Sequence, residues 1–246
     1  MPKTQQRKKN AHAAKPTRAK MSLGLRLGLG LTLGLIFAFA VLFVTAGTLN
    51  YWQGWAFLVV FFVPNAFTFI YFLKHDPEFL ERRLRNKERS EEQKLLLRWG
   101  KPFYLGAFLL PGCDERWGWS QALVGDVPPW LTVFSLAMIL GSLLLIFRVL
   151  YVNRFASRTV EVEDGQTVIS HGPYRVVRHP YYFATVLLWL FTPLALGSWI
   201  ALPAFVLLIP FYVIRLRNEE TVLRAQLAGY SEYCRRTRFR LIPLVW

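Results

Sequence analysis

The side chains best suited to chemistry lie in the stretch "HGPYRVVRHPYY", residues 171–182. Its cations can hold an anionic group, and its imidazole and phenols can hydrogen-bond to a polar ligand. Each proline fixes φ and removes a backbone N–H donor, so the prolines predict a loop of fixed shape. This loop supplies the first candidate site residues: Tyr174, Arg178, His179, Pro180 and Tyr182.

A second polar cluster occupies residues 215–240, "RLRNEETVLRAQLAGYSEYCRRTRFR". Arg215 and Glu219 are four residues apart, which places them on one face of a helix, and Glu220 follows. Apolar side chains recur at helical spacing and predict a helix lying on the membrane: Leu216, Leu223, Leu227 and Tyr230.

The 32 residues between these clusters, 183–214, carry no charge. A continuous helix of this length would measure about 48 Å, which exceeds a hydrocarbon core of about 30 Å. Two full spans with a loop would need more residues than this. Turn-forming residues interrupt the middle: Pro193, Gly197, Ser198 and Pro203. We therefore expect a tight helical hairpin, which returns the second cluster to the side of the first.

The rest of the composition indicates an integral membrane protein. The chain is 54% hydrophobic and yet carries a formal charge of +15, so its apolar residues must lie in separate blocks. We predict an all-α, polytopic membrane helix bundle of four spans plus the C-terminal hairpin, forming one domain over 21–246 with a catalytic half at 151–246. The expected spans are 23–47, 52–73, a weak one at 102–112, and 129–150.

Two charged segments lie outside the spans. Residues 1–20 carry seven Lys or Arg and no acid, which predicts a disordered basic tail. Attraction to anionic lipid or a role in topology explains this tail more simply than nucleic-acid binding does. Residues 74–94 carry Phe79, Leu80 and Leu84 at helical spacing, and they predict an interfacial amphipathic helix.

The distribution of cations decides the topology. If residues 102–112 span, nearly all Lys and Arg fall on one side of the membrane and only Arg116 falls on the other. This arrangement obeys the positive-inside rule, and it predicts that both termini are cytoplasmic, in a bacterial inner membrane or in the ER of a eukaryote. It also separates Cys113 from Cys234, so we expect no disulfide, and no Cys/His spacing indicates a metal site.

Each candidate residue also has a purely structural explanation. Arg175 and Arg178 could anchor the membrane interface, the tyrosines could belong to an interfacial belt, and Glu219 and Glu220 could pair with neighbouring arginines. The combination is more informative than any member. Cations, an imidazole, phenols and two carboxylates at one membrane face predict a site for a zwitterionic or cationic nucleotide-type ligand beside a lipid.

The motifs "GPYRVVRHPYY" and "RxxxEExxL…GYxEYCRRxRxRLIP", with the hairpin between them, resemble the C-terminal half of the isoprenylcysteine carboxyl methyltransferase family. That family belongs with wider membrane methyltransferases that include phospholipid N-methyltransferases. The resemblance covers about 150–246. The sequence departs from the family pattern at Ala184, where Gly is usual, and at "LAGY", 227–230, where many members have a Phe-Gly pair.

The resemblance implies S-adenosylmethionine as the methyl donor. It implies a cofactor site formed by residues of both motifs: Tyr174, His179, Pro180, Tyr182, Glu219 and Glu220. It also implies that Arg178 and Arg215 orient the acceptor group of a membrane-dissolved substrate. A carboxylate acceptor needs no general base and pairs well with a fixed arginine, so a prenylcysteine-like or other lipidic carboxylate is favoured over an amine.

Other functions remain open at this stage. A phospholipid N-methyltransferase or a small-thiol methyltransferase would share the fold. An NADPH-dependent membrane reductase and a non-catalytic lipid-binding protein are further alternatives. A transporter or channel is disfavoured, because the confident spans have no ionisable residue near their centres.

Overall fold

The structure is a computed structural model that describes residues 22–85, 91–156, 162 and 165–246. The predicted tail at 1–20 lies outside these residues. The described chain is all-helical, as expected, and Gly172–Arg175 form one 3₁₀ turn. Ten α-helices follow in order: α1 Leu23–Phe39, α2 Trp52–His75, α3 Pro77–Arg85, α4 Glu91–Trp117, α5 Trp119–Leu123, α6 Pro129–Val152, α7 Pro180–Ala195, α8 Leu202–Val206, α9 Ile209–Gln226 and α10 Tyr230–Arg236.

Three helical segments of the described chain are long and apolar enough to cross a membrane: Leu23–Val44, Trp52–His75 and Pro129–Val152. The first consists of α1 and a π-helical turn, Ala40–Val44, that continues it. These segments coincide with the first, second and fourth expected spans. Their apolar surfaces are largely exposed, which suits contact with lipid chains.

The weak expected span at 102–112 lies inside α4, a continuous helix of 27 residues with Pro102 and Pro111 within it. This helix is long enough to cross a membrane, but it is not among the described helices that are also apolar enough. Near its C-terminal end it packs closely on the π-helical turn. A Cβ at Gly112 would lie only 1.9 Å from Thr45 Oγ1, so this approach requires glycine.

The uncharged segment 183–214 folds into the expected hairpin, in which α7 runs along α6 and α8 with the start of α9 form the return. Buried hydrogen bonds fix the turn at 196–201. The Tyr51 hydroxyl donates to the carbonyl of Leu196 at 2.6 Å. Asp114 accepts from the backbone N–H of Ser120 at 2.7 Å and from the hydroxyls of Ser120 and Ser198.

The amphipathic helix expected at 74–94 differs from the structure. Helix α2 continues to His75, and α3 starts afresh at Pro77, while residues 86–90 lie outside the described chain. The break occurs because Asp76 accepts a hydrogen bond from the Phe79 N–H at 3.2 Å, as an N-cap does. Asp76 also pairs with Arg154 at 3.2 Å, which holds the junction against the end of α6.

The helix predicted from the spacing of Leu216, Leu223, Leu227 and Tyr230 is also interrupted. Helix α9 ends at Gln226, and α10 begins at Tyr230 after a turn in which Gly229 has φ +80°. A left-handed conformation is much less costly for glycine than for other residues. The "LAGY" segment is therefore a helix break, and it turns the chain back toward the loop at 171–182.

Candidate active site

The loop at 171–182 is held by the C-terminal segment of the chain. The backbone N–H groups of Arg178 and His179 donate to the carbonyls of Phe239 and Arg240, both at 2.9 Å. Pro180 follows as the first residue of α7, where a missing N–H costs nothing. The "RHP" motif thus joins a backbone-paired strand-like segment to a helix start.

Glu220 is the centre of the buried charge cluster. Its carboxylate lies 2.9 Å from Arg178 Nη1, 3.4 Å from His179 Nε2 and 3.1 Å from Arg240 Nε. Only 5% of Glu220 is exposed, and Arg178 and His179 are buried to a similar degree. Burial by itself raises the pKa of Glu220. The hydrogen bond and charge of His179, with the charges of Arg178 and Arg240, outweigh burial and lower that pKa below its ordinary value.

This cluster is close-packed but incompletely hydrogen-bonded. In the described part of the chain, five buried polar atoms lack a hydrogen bond of good geometry: Arg178 Nε, His179 Nε2, Glu220 Oε1, Tyr230 Oη and Arg240 Nε. Three of them, His179 Nε2, Glu220 Oε1 and Arg240 Nε, still lie within ion-pair distance of groups in the cluster, whereas Arg178 Nε and Tyr230 Oη have no described partner. Buried polar groups without partners are rare and costly in proteins. Such a concentration of donors and acceptors fits a polar, charged ligand, and therefore fits the cofactor that the motifs imply.

Glu219 belongs to a second, adjoining network. The Tyr182 hydroxyl donates to Glu219 Oε2 at 2.6 Å and accepts from Arg215 Nε at 3.2 Å. The rings of His179 and Tyr182 lie 5.8 Å apart, which connects this network to the Glu220 cluster. The structure therefore brings Arg178, His179 and Tyr182 of the first motif together with residues of α9 from the second motif: Arg215, Glu219 and Glu220.

Tyr174 lies beside this site and not among its carboxylates. Its hydroxyl accepts from Asn153 Nδ2 at 2.8 Å, and its carbonyl accepts from the Tyr233 hydroxyl at 2.7 Å. It packs with Leu227, Tyr230 and Tyr233 in an apolar cluster formed around α10. Burial raises the pKa of Tyr174, so its hydroxyl stays protonated.

A third group of polar aromatic residues lies next to the site, among the apolar helices. Trp189 Nε1 donates to the Tyr212 hydroxyl at 2.7 Å, and the hydroxyls of Tyr212 and Tyr104 are hydrogen-bonded to each other. The rings of Tyr212 and Tyr182 are 6.3 Å apart. Three helices, α4, α7 and α9, thus contribute to this aromatic group.

Two residues of the site were not selected from the sequence. Arg240 and Tyr230 stand within the quoted motif, but its spacing did not indicate that Arg240 contacts Glu220. Arg240 reaches Glu220 because residues 238–240 fold back against 178–179, which is a tertiary feature. The described residues contain no cluster of three or more His, Cys, Asp or Glu able to hold a metal ion.

Comparison with known proteins gives a family match over part of the chain. The phospholipid methyltransferase family model matches residues 130–228, from the start of α6 to the turn before α10. A comparison with curated proteins gives no match. The matched family consists of membrane methyltransferases that generally use S-adenosylmethionine, which confirms the resemblance described above. Residues 130–228 therefore match the phospholipid methyltransferase family, which is part of the isoprenylcysteine carboxyl methyltransferase-like group of membrane methyltransferases.

Proposed function

We propose that the protein transfers the methyl group of S-adenosylmethionine to a carboxylate of a prenylcysteine-like or other lipidic, membrane-associated acceptor. The observation that carries this proposal is the pairing of the two motifs. Glu220 contacts Arg178 and His179, and Glu219 contacts Tyr182, so each carboxylate of α9 meets the "RHPYY" segment. Both carboxylates stand where two polar clusters converge beside apolar helices.

The proposed cofactor residues are Tyr174, His179, Pro180, Tyr182, Glu219 and Glu220. S-adenosylmethionine, when bound, supplies a methyl group activated by a sulfonium charge. The two carboxylates favour a nearby cation electrostatically, and carboxylates also accept hydrogen bonds from ribose hydroxyls in nucleotide sites. Pro180 fixes the position of His179, and the Tyr182 hydroxyl orients Glu219. The carbonyl of Tyr174 accepts the hydrogen bond from Tyr233 and so holds α10 beside the proposed site.

The proposed acceptor-orienting residues are Arg178 and Arg215. Arg178 has a buried Nε without a hydrogen bond, which is a donor suited to an anionic acceptor. Arg215 lies on α9 beside the Tyr182 hydroxyl. A carboxylate is already nucleophilic, so the protein needs only to align it with the methyl carbon, and alignment can lower a barrier by several kcal/mol.

An amine acceptor is the second candidate, because the matched family is named for phospholipid methylation. A protonated amine must lose a proton before it can accept a methyl group, and this requires a base. The carboxylate best placed near the cluster, Glu220, is surrounded by cations that lower its pKa and weaken it as a base. This environment favours the carboxylate acceptor.

The chemistry of the product separates these candidates. The purified protein would be incubated with S-adenosylmethionine tritiated in the methyl group and with membrane lipid extract, and the lipid product would then be treated with alkali. A methyl ester releases volatile tritiated methanol, as we expect. An N-methyl or S-methyl product retains its label under alkali. That result would show that the acceptor group is an amine or a thiol and not a carboxylate.

The role of Arg215 can be tested apart from cofactor binding. We expect Arg215→Ala to lower methyl transfer by about tenfold or more while S-adenosylmethionine still binds, because the acceptor loses a charged hydrogen-bond donor. Arg217→Ala is the matched control, since Arg217 is exposed on the same helix and lies over the ring of Trp246. Equal activity of the two variants would remove Arg215 from the proposed site.

We also propose that the site faces the cytoplasm, with both termini on that side. The cation distribution supports this orientation, because Arg116 is the one Lys or Arg in residues 102–147. Labelling of single introduced cysteines with a membrane-impermeant maleimide in intact cells tests it. We expect Ala122→Cys, in exposed α5, to react and Ala228→Cys, beside the site, to stay unreacted, in a background that lacks Cys113 and Cys234. The opposite pattern would reverse the orientation.

A further inference from the structure

A cavity of about 140 Å³ lies between α2, α3, α6 and α7, outside the cluster around Glu220. Helices α2 and α6 supply its long walls, with lining residues from Pro64 to Phe72 on α2 and from Leu143 to Leu150 on α6. Eight residues of helix correspond to about 12 Å of length. The cavity is therefore elongated along the helix axes.

The walls of the cavity are mostly apolar. The two polar side chains on the α2 wall turn their donors to their own helix: Asn65 Nδ2 bonds the carbonyl of Phe61 at 2.7 Å, and the Thr68 hydroxyl bonds the carbonyl of Pro64 at 2.8 Å. Dry apolar cavities of roughly 150 Å³ bind molecules as large as benzene. The volume therefore suits a segment of an aliphatic chain and is too small for a whole lipid.

One end of the cavity is cationic. Arg83 of α3 and Tyr181 of α7 line it, and the guanidinium lies 5.9 Å from the centre of the Tyr181 ring and 5.6 Å from that of Phe79. Arg83 also donates to the carbonyl of Ala156. It is partly buried, yet none of the described carboxylates pairs with it. A partly buried cation whose described partners are all neutral favours an anionic ligand.

This cationic end adjoins the proposed active site. Tyr181 immediately precedes Tyr182, whose hydroxyl bonds Glu219, and their rings are 6.1 Å apart. Arg83 is also close enough to Tyr174 to act on it electrostatically. The apolar part of the cavity extends from this point along the membrane helices.

We propose that this cavity binds a segment of the aliphatic chain of an anionic amphiphile, with Arg83 pairing to the acidic group. The inference goes beyond the proposed function and does not depend on it, because Arg178 and Arg215, and not Arg83, are the residues proposed to orient the methyl acceptor. It adds a chain-binding subsite between α2 and α6 and gives Arg83 a role in selecting anionic over neutral amphiphiles.

Photolabelling with palmitic acid that carries a diazirine in its chain tests the chain subsite. In wild-type protein we expect label on peptides of α2 and α6 that line the cavity. Leu143→Phe, which fills the cavity from α6, should lower this labelling by about tenfold, since the larger side chain occupies volume that the aliphatic chain would take. Leu144→Phe, on the exposed neighbouring residue, should leave it unchanged.

Thr68→Leu fills the same cavity from α2. It provides a second test in case Leu143→Phe does not fold. Equal labelling of wild type and both filling variants, or label confined to peptides outside the cavity, would overturn the proposal. A loss in both variants with no loss in Leu144→Phe would support it.

The acidic group is tested with a matched neutral probe, the corresponding diazirine fatty alcohol. Arg83→Gln should lower labelling by the acid about tenfold and leave labelling by the alcohol unchanged, because only the acid loses an ion pair. Arg82→Gln, the neighbouring arginine that does not line the cavity, should change neither. Equal loss with both probes would overturn the role given to Arg83.

Calorimetry of S-adenosylmethionine on the same variants keeps the two proposals separate. We expect Arg83→Gln and Leu143→Phe to bind it as wild type does. If wild type fails to bind S-adenosylmethionine, the proposed function is wrong. The photolabelling then still shows whether the cavity binds an aliphatic chain. If binding is normal and labelling is absent from the cavity, the chain subsite alone is wrong.

Discussion

The carboxylate of Glu220 lies 2.9 Å from the guanidinium of Arg178, and both side chains are more than nine-tenths buried. One residue belongs to the loop before α7 and the other to α9, and the whole uncharged hairpin separates them in sequence. Their ion pair therefore ties the two ends of the hairpin together at the proposed site. Removing one partner would leave the other buried and uncompensated.

Neutralising this carboxylate should destabilise the protein. Glu220→Gln keeps the shape but removes the charge facing Arg178, His179 and Arg240, and we expect a loss of about 3 kcal/mol in unfolding free energy. Glu232→Gln is the matched control, because Glu232 pairs with Arg236 on an exposed helix face, where an ion pair contributes about 1 kcal/mol or less. Thermal unfolding in detergent compares the two. Similar melting temperatures for both variants would contradict the buried role of Glu220.

The same carboxylate should produce a defined pH dependence. The folded pKa of Glu220 lies below its ordinary value of 4.5, so its charge stabilises the folded state fully above 4.5. This contribution declines as the pH falls below 4.5 and through the folded pKa. The difference in melting temperature between wild type and Glu220→Gln should hence be constant from about pH 7 to about pH 5 and shrink at lower pH. A difference that disappears already above 4.5 would indicate a raised pKa.

Tyr182 should contribute through its hydroxyl. Tyr182→Phe removes the bond to Glu219 at 2.6 Å and the bond from Arg215 at 3.2 Å while preserving the ring. Two hydrogen bonds at about 1 kcal/mol each predict a fall in methyl transfer of about tenfold or more. Tyr151→Phe, at an exposed position of α6, is the control. Initial rates with tritiated S-adenosylmethionine measure the effect, and unchanged rates for Tyr182→Phe would show that the hydroxyl has no role.

At the opposite end of the hairpin, Asp114 should be a structural residue. It accepts hydrogen bonds from Ser120 and Ser198, and the Ser120 hydroxyl in turn accepts from the N–H groups of Trp199 and Ile200. Asp114→Ala leaves buried donors without partners, at about 1–3 kcal/mol each. We expect a marked drop in melting temperature, whereas Asp126→Asn, at an exposed neighbouring position, should cause almost none. Equal stability of the two variants would exclude this role for Asp114.

The sequence predicted the architecture well where one physical signal dominated. Hydropathy and length located Leu23–Val44, Trp52–His75 and Pro129–Val152, because lipid requires continuous apolar helices. The hairpin followed from the absence of charge over 183–214 and from its interrupted middle. The helix ends were less predictable. Asp76 starts a new helix through one local hydrogen bond, and Gly229 ends another through a left-handed backbone.

The contacts within the candidate site could be predicted in part. The motifs contained Arg178, His179, Tyr182, Glu219 and Glu220, and the hairpin argument brought them to one face. Arg240 was not predicted, because its contact with Glu220 depends on the path of the C-terminal segment across residues 178–179. The aromatic group of Tyr104, Trp189 and Tyr212 was not predicted either, because three separate helices contribute to it.

Gly229 should be sensitive to a side chain because of its conformation. At φ +80°, Gly229→Ala should cost about 1–2 kcal/mol and disturb α10, which carries Tyr230 and Tyr233. Gly141→Ala is a contrasting control, since Gly141 lies within α6 and a Cβ there meets nothing within 4 Å. In a helix interior the same substitution is favourable by about 1 kcal/mol. Melting temperatures that shift in the same direction would contradict this account.

Calorimetric binding of S-adenosylmethionine to the detergent-purified protein tests the central claim most directly. We expect the wild type to bind, and we expect His179→Ala and Glu220→Gln to lose that binding while their circular dichroism remains helical. Glu232→Gln should bind as wild type does, since it changes an exposed ion pair outside the site. Absence of binding by a folded wild-type protein, or unchanged binding by both site variants, would contradict the assignment of this cluster as the cofactor site.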